Sequence, residues 1–576
     1  MKQKYMRLSF IILACLITIG KQAMGQRDST KLNQDVEVVK PYRPSISNAN
    51  KLNQLPVIDD TTHFTPEFKY SIESRPINSG FKAVPIGAAE IKGQADKNTG
   101  IGYLKLGIGN YNTTYGDFFL NNAKSKYWTF GLHLNHLASD GNVKLAKGDR
   151  VDAPYSQNKA EIFGSRLIGG STLSSDLSYN RDMVTFYGYP DTIPTNLTNL
   201  KLESPYYGLK QIFQKGQFNI AIKSNEGSNS TLKYNGGLRF HYFDAKTGQK
   251  ENSGGLFADF EYPFAKFKGI LESSFDNFTT KGILISPAQY KQDSWLKLSP
   301  SVLFSGDNWS LKGGVNFHTV SDNQGDSKTK LYPKIDLTFI PVKDIMTLYA
   351  GIDGYLQNCN YSAIAYENNW VDPIHNIKNA DHQYILFGGF KGKITSQISY
   401  DVTAKYSKVN DSHYYILNST NTTSPFIYNN AFHVLYDNTG ITNLSANISY
   451  VSGKDLYIKF KANYYNYNLD KLAFAPLLPD FDLDATAGFR ITDRISGFTD
   501  LKATGQRKGL IQLGDGTNKE YDLNPILSIN LGGEYELTHN IKIFGRIDNL
   551  LNQHYEQWLG YTSQGLRFIA GASISF

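Results

Sequence analysis

The chain has 576 residues, with 59 Lys and Arg against 52 Asp and Glu, a net charge of +7. Spread over that length, the excess excludes a nucleic-acid footprint, which needs basic residues gathered on one face. Aromatic residues make up 13% of the chain, which excludes disorder over most of it. Beyond residue 20 no apolar run approaches the ~20 residues of a spanning helix, which excludes a polytopic helical membrane protein.

Residues 1–25 read as a secretory signal. Lys2, Lys4 and Arg7 give a basic start, Leu8 to Gly20 an apolar stretch, and Ala23-Met24-Gly25 a small-residue cleavage site, too short and wrongly flanked for a membrane span. A rival reading takes Leu13-Ala14-Cys15 as a lipobox with an acylated Cys15. After cleavage near Gln26 Cys359 is the remaining cysteine, so no internal disulfide is expected.

Residues 26–97 differ in kind. Prolines recur at 41, 44, 56, 66, 76 and 85. Proline fixes φ and donates no ladder hydrogen bond, so this is extended chain and not sheet interior. It reads either as a tail draped on a neighbouring surface or as a partner-binding strand. In the second reading Asp35, Val36, Glu37, Val38 and Val39 pair with an exposed sheet edge of a periplasmic or outer-membrane protein.

From about residue 98 to 576 the apolar period is two. Leu348 alternates with Thr347, and Ile458 with Lys459; the last strand sets Phe568, Ala570, Ala572, Ile574 and Phe576 against Ile569, Gly571, Ser573 and Ser575. Successive strand side chains point to opposite faces. One apolar face and one polar face, repeated in strands of about ten residues, is the pattern of an outer-membrane barrel. The expected fold is therefore an all-β, transmembrane antiparallel β-barrel in the cell outer membrane. Its outward face meets lipid, with Leu348 and Ile458 on that face and Thr347 and Lys459 toward the lumen.

Connections counted back from Phe576 alternate: 552–565, 507–521, 468–481, 358–379, 278–293 and 138–157 are long. The connections at 538–540, 494–495, 452–453, 342–344, 263–265 and 123–125 are short. Long loops outside and short turns in the periplasm are the rule for such barrels. The tally is 22 strands, or 24 if 408–439 contains a hairpin through Tyr414–Asn418 and Phe426–Tyr436.

The long loops carry the candidate recognition residues. These are Tyr361, Tyr366, Trp370 and His375 in 358–379, and Phe474, Leu477, Leu478 and Phe481 in 468–481. Exposed aromatic residues on long loops suggest a ligand or partner; the alternative is that they pack together and close the mouth. No catalytic, cofactor-binding or metal site is expected. His133 and His136 are three apart in a strand and face opposite sides. Asp480, Asp482 and Asp484 alternate in the manner of oxygen ligands for Ca²⁺, but lack the Gly and Glu of a calcium loop and read as a solvated start of a strand. The chain is not expected to be an enzyme.

The C-terminus carries a resemblance. The run Ile541 to Asn552, with Asn549-Leu550-Leu551-Asn552, then Tyr555, Gly560-Tyr561, Gly565, Arg567 and a final Phe576, resembles the last two strands of TonB-dependent outer-membrane receptors. The resemblance implies a 22-stranded barrel, and implies that Phe576 is the signal read by the barrel-assembly machinery. The family's plug domain needs well over a hundred residues, whereas 26–97 is short and Pro-spaced. Asp35 to Val39 is loosely similar to the family's energy-coupling box. Two functions follow: passage or uptake of a solute across the outer membrane, or a plug-less scaffold in an outer-membrane assembly, export or attachment complex.

Overall fold

A computed structural model describes residues 101–576 apart from 123–124, 126, 146–147, 149, 189–209, 226–230, 283–289, 323–324, 374–376, 419–429 and 514–516. The signal at 1–25, the segment 26–97 with Asp35 to Val39, and His375 lie outside the described residues. The period-two segments form one antiparallel sheet that closes on itself. The strand Gly102–Gly109 pairs with Thr113–Asn121 on one side and with Arg567–Ser575 on the other, Lys105 facing Ser573. Of the 24 hydrogen-bonded strands in that sheet, Arg507–Gln512 and Asn518–Leu523 form a hairpin within the 504–526 connection. The wall therefore has 22 strands. Closure pairs every wall strand on both edges, as hydrocarbon demands.

The lower strand count is the observed one. Among the described residues the excursion at 408–439 holds no separate hairpin. The strands Ile398–Asn418 and Phe432–Ser452, each 21 residues, simply continue past a bulge between Val409 and Ser412, with Tyr414 opposite Leu435. A tilted spanning strand needs ~9–11 residues, so this hairpin stands well above the bilayer on the long-loop side. The alternation of connections also has exceptions. On the long-loop side, Gly109 reaches Thr113, Ala245 reaches Lys250 and Asp322 reaches Ser327 through short links. The loops sort by side, but not every outer connection is long.

The two faces separate as the pattern requires. Leu348, Ile458, Leu444 and Ile448 are exposed on the outside, where lipid replaces water. At the short-turn rim Tyr262, Phe264, Phe267 and Phe304 form a chain of ring contacts at 5.1, 4.8 and 5.8 Å. Such rings seat at headgroup level. Inside, ionisable groups meet partners along the wall. Lys105 Nζ meets Glu534 Oε1 at 2.7 Å, His133 meets Asp117 at 3.1 Å, and Glu272 lies between Lys312 and Lys334. His136 turns the other way, toward Thr114 (3.0 Å) and Asn158 (2.7 Å).

The register sharpens an expectation about membrane depth. Ile448 lies four residues from the short-turn end of its strand at Ser452 and is 45% exposed on the outer face. That is near the middle of a span. Ile448→Arg is expected to destabilise the barrel by about 2–4 kcal/mol. Leu348 and Ile458 lie two residues from their short-turn ends at Met346 and Leu456, so Arg there costs about 0–1 kcal/mol. Asn447→Arg, toward the lumen, should be near neutral. Urea unfolding of refolded variants checks the order, and equal losses for Ile448→Arg and Asn447→Arg would overturn the face assignment.

Candidate functional site

The outer mouth is closed by its own loops. The connection from Gln357 to Ala380 carries a helix, Tyr361–Glu367. Asn360 caps it, its side-chain oxygen accepting the Ala363 N–H at 2.8 Å. The next free donors go to the barrel wall. The N–H of Tyr361 donates to Glu251 Oε1 (2.7 Å) and that of Ser362 to Oε2 (3.0 Å). A buried carboxylate thus satisfies helix N–H groups that would otherwise be unpaired.

Above the lumen an apolar core joins loops distant in sequence. Phe213, Phe243, Tyr361, Ile364, Val371, Leu417, Phe432, Leu477, Ile511, Leu523, Leu559 and Tyr561 all bury in it. Tyr561 is its hub. It is 1% exposed, its ring stacks on Trp370 at 4.2 Å, and Tyr187 and Phe432 approach at 5.1 and 5.9 Å. Its hydroxyl donates to the Asn430 carbonyl at 2.6 Å, and the Trp370 indole N–H donates to the Thr185 carbonyl at 2.8 Å. Burial raises the phenol pKa of both Tyr561 and Tyr187 well above the ordinary tyrosine range, so neither ionises at physiological pH.

The hairpin Arg507–Gln512 and Asn518–Leu523 adds a second layer. Leu417 and Asn418 pair in parallel with Ile511 and Gln512, extending the tall wall strand by strand addition. Arg507 ties this hairpin to the last loop, donating to the Gln557 carbonyl at 2.6 Å and to that of Glu556 at 2.5 Å. Burial pushes its pKa down to about 10, which still leaves it charged at neutral pH.

The candidate loop residues divide by position. Tyr361 lies inside the closing core, and Tyr366 and Trp370 pack against it. Phe474 is half-buried, with Lys508 Nζ 5.3 Å from its ring centroid. Phe481 opens a wall strand opposite Tyr464 and is exposed on the outer face. Leu477 is buried in the core, while Leu478 borders the lumen. Sequence reasoning missed Glu251, Tyr561 as a hub, and Arg507. Glu251 falls on the inward parity of its strand, but that it meets a helix from another loop is set by the closure of the barrel.

Beneath the roof lies a cavity of about 1210 Å³, bordered by Tyr465, Tyr467, Asp482, Lys502, Arg507 and Trp558 among others. Asp482 accepts Asn463 Nδ2 at 3.0 Å, and Asp480 remains exposed at the start of the strand. Among the described residues no group of three or more His, Cys, Asp or Glu is placed to hold a metal ion.

The C-terminal residues make a tight joint beside the barrel seam. Asp548 accepts from Arg546 Nε at 2.6 Å, and from Arg567 Nε and Nη2 at 3.0 and 2.7 Å; Arg567 also donates to the Tyr155 hydroxyl. Asn549 and Asn552 take positive φ of 53° and 51° in the turn that follows. Asn549 Nδ2 donates to the carbonyls of Gln553 and Gln564, and Asn552 Oδ1 accepts the Leu566 N–H. A Cβ at position 565 would sit 2.3 Å from Asn552 Oδ1, which explains Gly565. Phe576 closes the ladder, its N–H donating to the Gly102 carbonyl at 3.0 Å and its ring near Phe118.

No family model matches the chain, and no curated protein matches it. Solved structures do. The FrpB iron transporter of Neisseria meningitidis (F3-3 variant) is similar with a TM-score of 0.62 at 11% identity, over 84% of this chain and 82% of that one. The copper transporter OprC gives 0.59 at 11% identity, over 84% and 82%. The ferric-catecholate import receptor Fiu of E. coli K12 gives 0.58 at 8% identity, over 83% and 82%. These neighbours are described as transporters and an import receptor; at such identities the likeness establishes the fold. The chain folds as a closed 22-stranded antiparallel barrel similar to those of these transporters, and its C-terminus resembles the last two strands of the TonB-dependent outer-membrane receptors.

Proposed function

We propose that the protein is a gated passage for a solute across the outer membrane. The observation that carries this reading is a cavity of about 1210 Å³ inside the wall, roofed by an apolar core of the barrel's own loops. A wall of this size encloses a wide lumen, which must be closed to keep the permeability barrier. The roof closes it from outside, and its loops are the parts that move when a solute enters. Tyr366, Trp370 and Phe474 then act on the solute as gate residues. Neighbours described as transporters of iron and copper support passage as the class of function without naming the cargo.

Residues 26–97 are proposed as the periplasmic or lumenal handle. Asp35 to Val39 would be its partner-binding strand, with Val36, Val38 and Val39 supplying apolar contacts. Phe576, at the end of the seam strand, is proposed as the residue read by the barrel-assembly machinery. The scaffold reading draws on one observation: a roof this well packed suits permanent closure.

Deleting 26–97 separates the two readings. For a passage, the deletion raises entry of large antibiotics while the barrel still resists SDS unless boiled. For a scaffold, it releases a stoichiometric partner seen in mild-detergent pull-down, with no change in entry. A deletion that alters neither overturns the handle.

A further inference from the structure

A second, smaller chamber of about 340 Å³ lies on the lumen wall beside Ser362, Ala363 and Tyr366 of the helix Tyr361–Glu367. Its lining is rich in donors. Lys215, Arg239 and Lys297 bring three cations to it. Trp295 lines it and is 1% exposed, and its indole N–H finds no acceptor among the described residues; neither does the buried Nδ2 of Asn358, another lining residue. Lys297 Nζ lies 5.6 Å from the Trp295 ring centroid. The lining carboxylate is Asp276, and Arg239 already holds it through Nε (2.6 Å) and Nη2 (2.5 Å), with the Ser274 hydroxyl at 3.4 Å. The nearby Glu251 is occupied by the helix N–H groups.

A buried donor without an acceptor costs free energy. Two such donors stand beside three cations and one carboxylate, so donors and positive charge prevail in the lining, although Arg239 is paired with Asp276 and Lys215 also lies near Asp182 and Glu251. We propose that this chamber binds an oxyanion, the phosphate or sulfate group of a solute. Lys297 and the guanidinium edge of Arg239 that Asp276 leaves open supply charge-assisted hydrogen bonds, and the unpaired Trp295 and Asn358 N–H groups lie buried in the lining behind them. The site stands on its own donors and does not require passage. Where the barrel passes a solute, the site assigns that solute an anionic group.

The test uses full-length protein purified in detergent, with barrel integrity verified by heat-shifted gel mobility. Sodium phosphate, sodium sulfate and glycerol phosphate are titrated at constant ionic strength set by chloride, and heats of binding are recorded. Saturable binding to at least one of them is expected. Lys297→Met should weaken it about tenfold or more, Trp295→Phe several-fold, and Lys281→Met on the outer rim not at all. Tighter binding of glycerol phosphate than of phosphate marks the anionic group of a larger solute, and equal binding marks a free inorganic anion; either upholds the site. Absence of saturable binding overturns it, as does binding that Lys297→Met leaves unchanged in a folded barrel. Because no gate must open in this assay, its failure is separate from failure of the entry measurements.

Discussion

Tyr561→Ala should loosen the outer roof and expose Cys359 to thiol reagents at least a hundredfold faster than in the wild-type protein. Tyr561 sits where the loops after Thr185, Gln357, Asn418 and Asp548 meet. Truncating a buried aromatic side chain costs about 3–5 kcal/mol through lost contacts and the cavity left behind. The lost hydroxyl bond to the Asn430 carbonyl adds about 1 kcal/mol. Since 1.4 kcal/mol is a factor of ten in an equilibrium, a roof weakened by about 3 kcal/mol opens more than a hundred times as often.

Cys359 reports that opening. It is a buried thiol, in no disulfide among the described residues, at the start of the loop that carries Trp370, packed among Ala380, Val409 and Ile441. Maleimide labelling of intact cells, located by peptide mass, gives the rate. Tyr464→Ala, exposed on the outer wall, should leave it unchanged. The barrel itself should still resist SDS in both variants, because Tyr561 contributes to no wall strand. Labelling of Cys359 at the wild-type rate in Tyr561→Ala would remove the roof as a cooperative unit, and with it the gate.

The wall was legible in the sequence because a barrel strand answers to a local rule. Tyr457, Lys459, Lys461 and Asn463 fall on one parity and Ile458, Phe460 and Ala462 on the other, and the register places them as that parity requires. The same rule placed His133 and His136 on opposite faces. What the rule could not give is height. Leu348 and Ile458 are on the lipid face but near its edge, and the strand count at 408–439 depended on how far two strands rise above the bilayer. The roof was legible still less. Trp370 and Tyr561 are 191 positions apart, and only closure of the ring brings them to 4.2 Å. Lys215, Arg239 and Trp295 each show inward parity, but their meeting at one level beside Asn358 follows from strand stagger and from a loop that folds inward.

The second large effect is expected at the seam. Asp548→Ala should lower the stability of the refolded barrel by about 3 kcal/mol and reduce the fraction that resists SDS. Arg546, Asp548 and Arg567 are all buried, and the carboxylate stands between the two guanidinium groups. Removing one partner of a buried ion pair costs about 3–5 kcal/mol, since the remaining charge stays desolvated. The lumen is wet, which favours the lower end of that range. Here two cations are left facing each other across the last hairpin, Ile541–Asp548 and Arg567–Ser575, whose second strand closes the ring against Gly102–Gly109. Asp548→Asn, which keeps an acceptor but no charge, should fall between. Asp548→Ala combined with Arg567→Met should cost less than the two single changes summed, because the second removes the cation that the first strands. Deleting Phe576 gives the contrast: if the assembly machinery reads it, less folded protein reaches the membrane while the refolded barrel keeps most of its stability. Urea unfolding and heat-shifted mobility measure both. An Asp548→Ala barrel as stable as wild type would show that the two arginines find other acceptors, and that the conjunction of Asp548 and Arg567 is not what holds the seam.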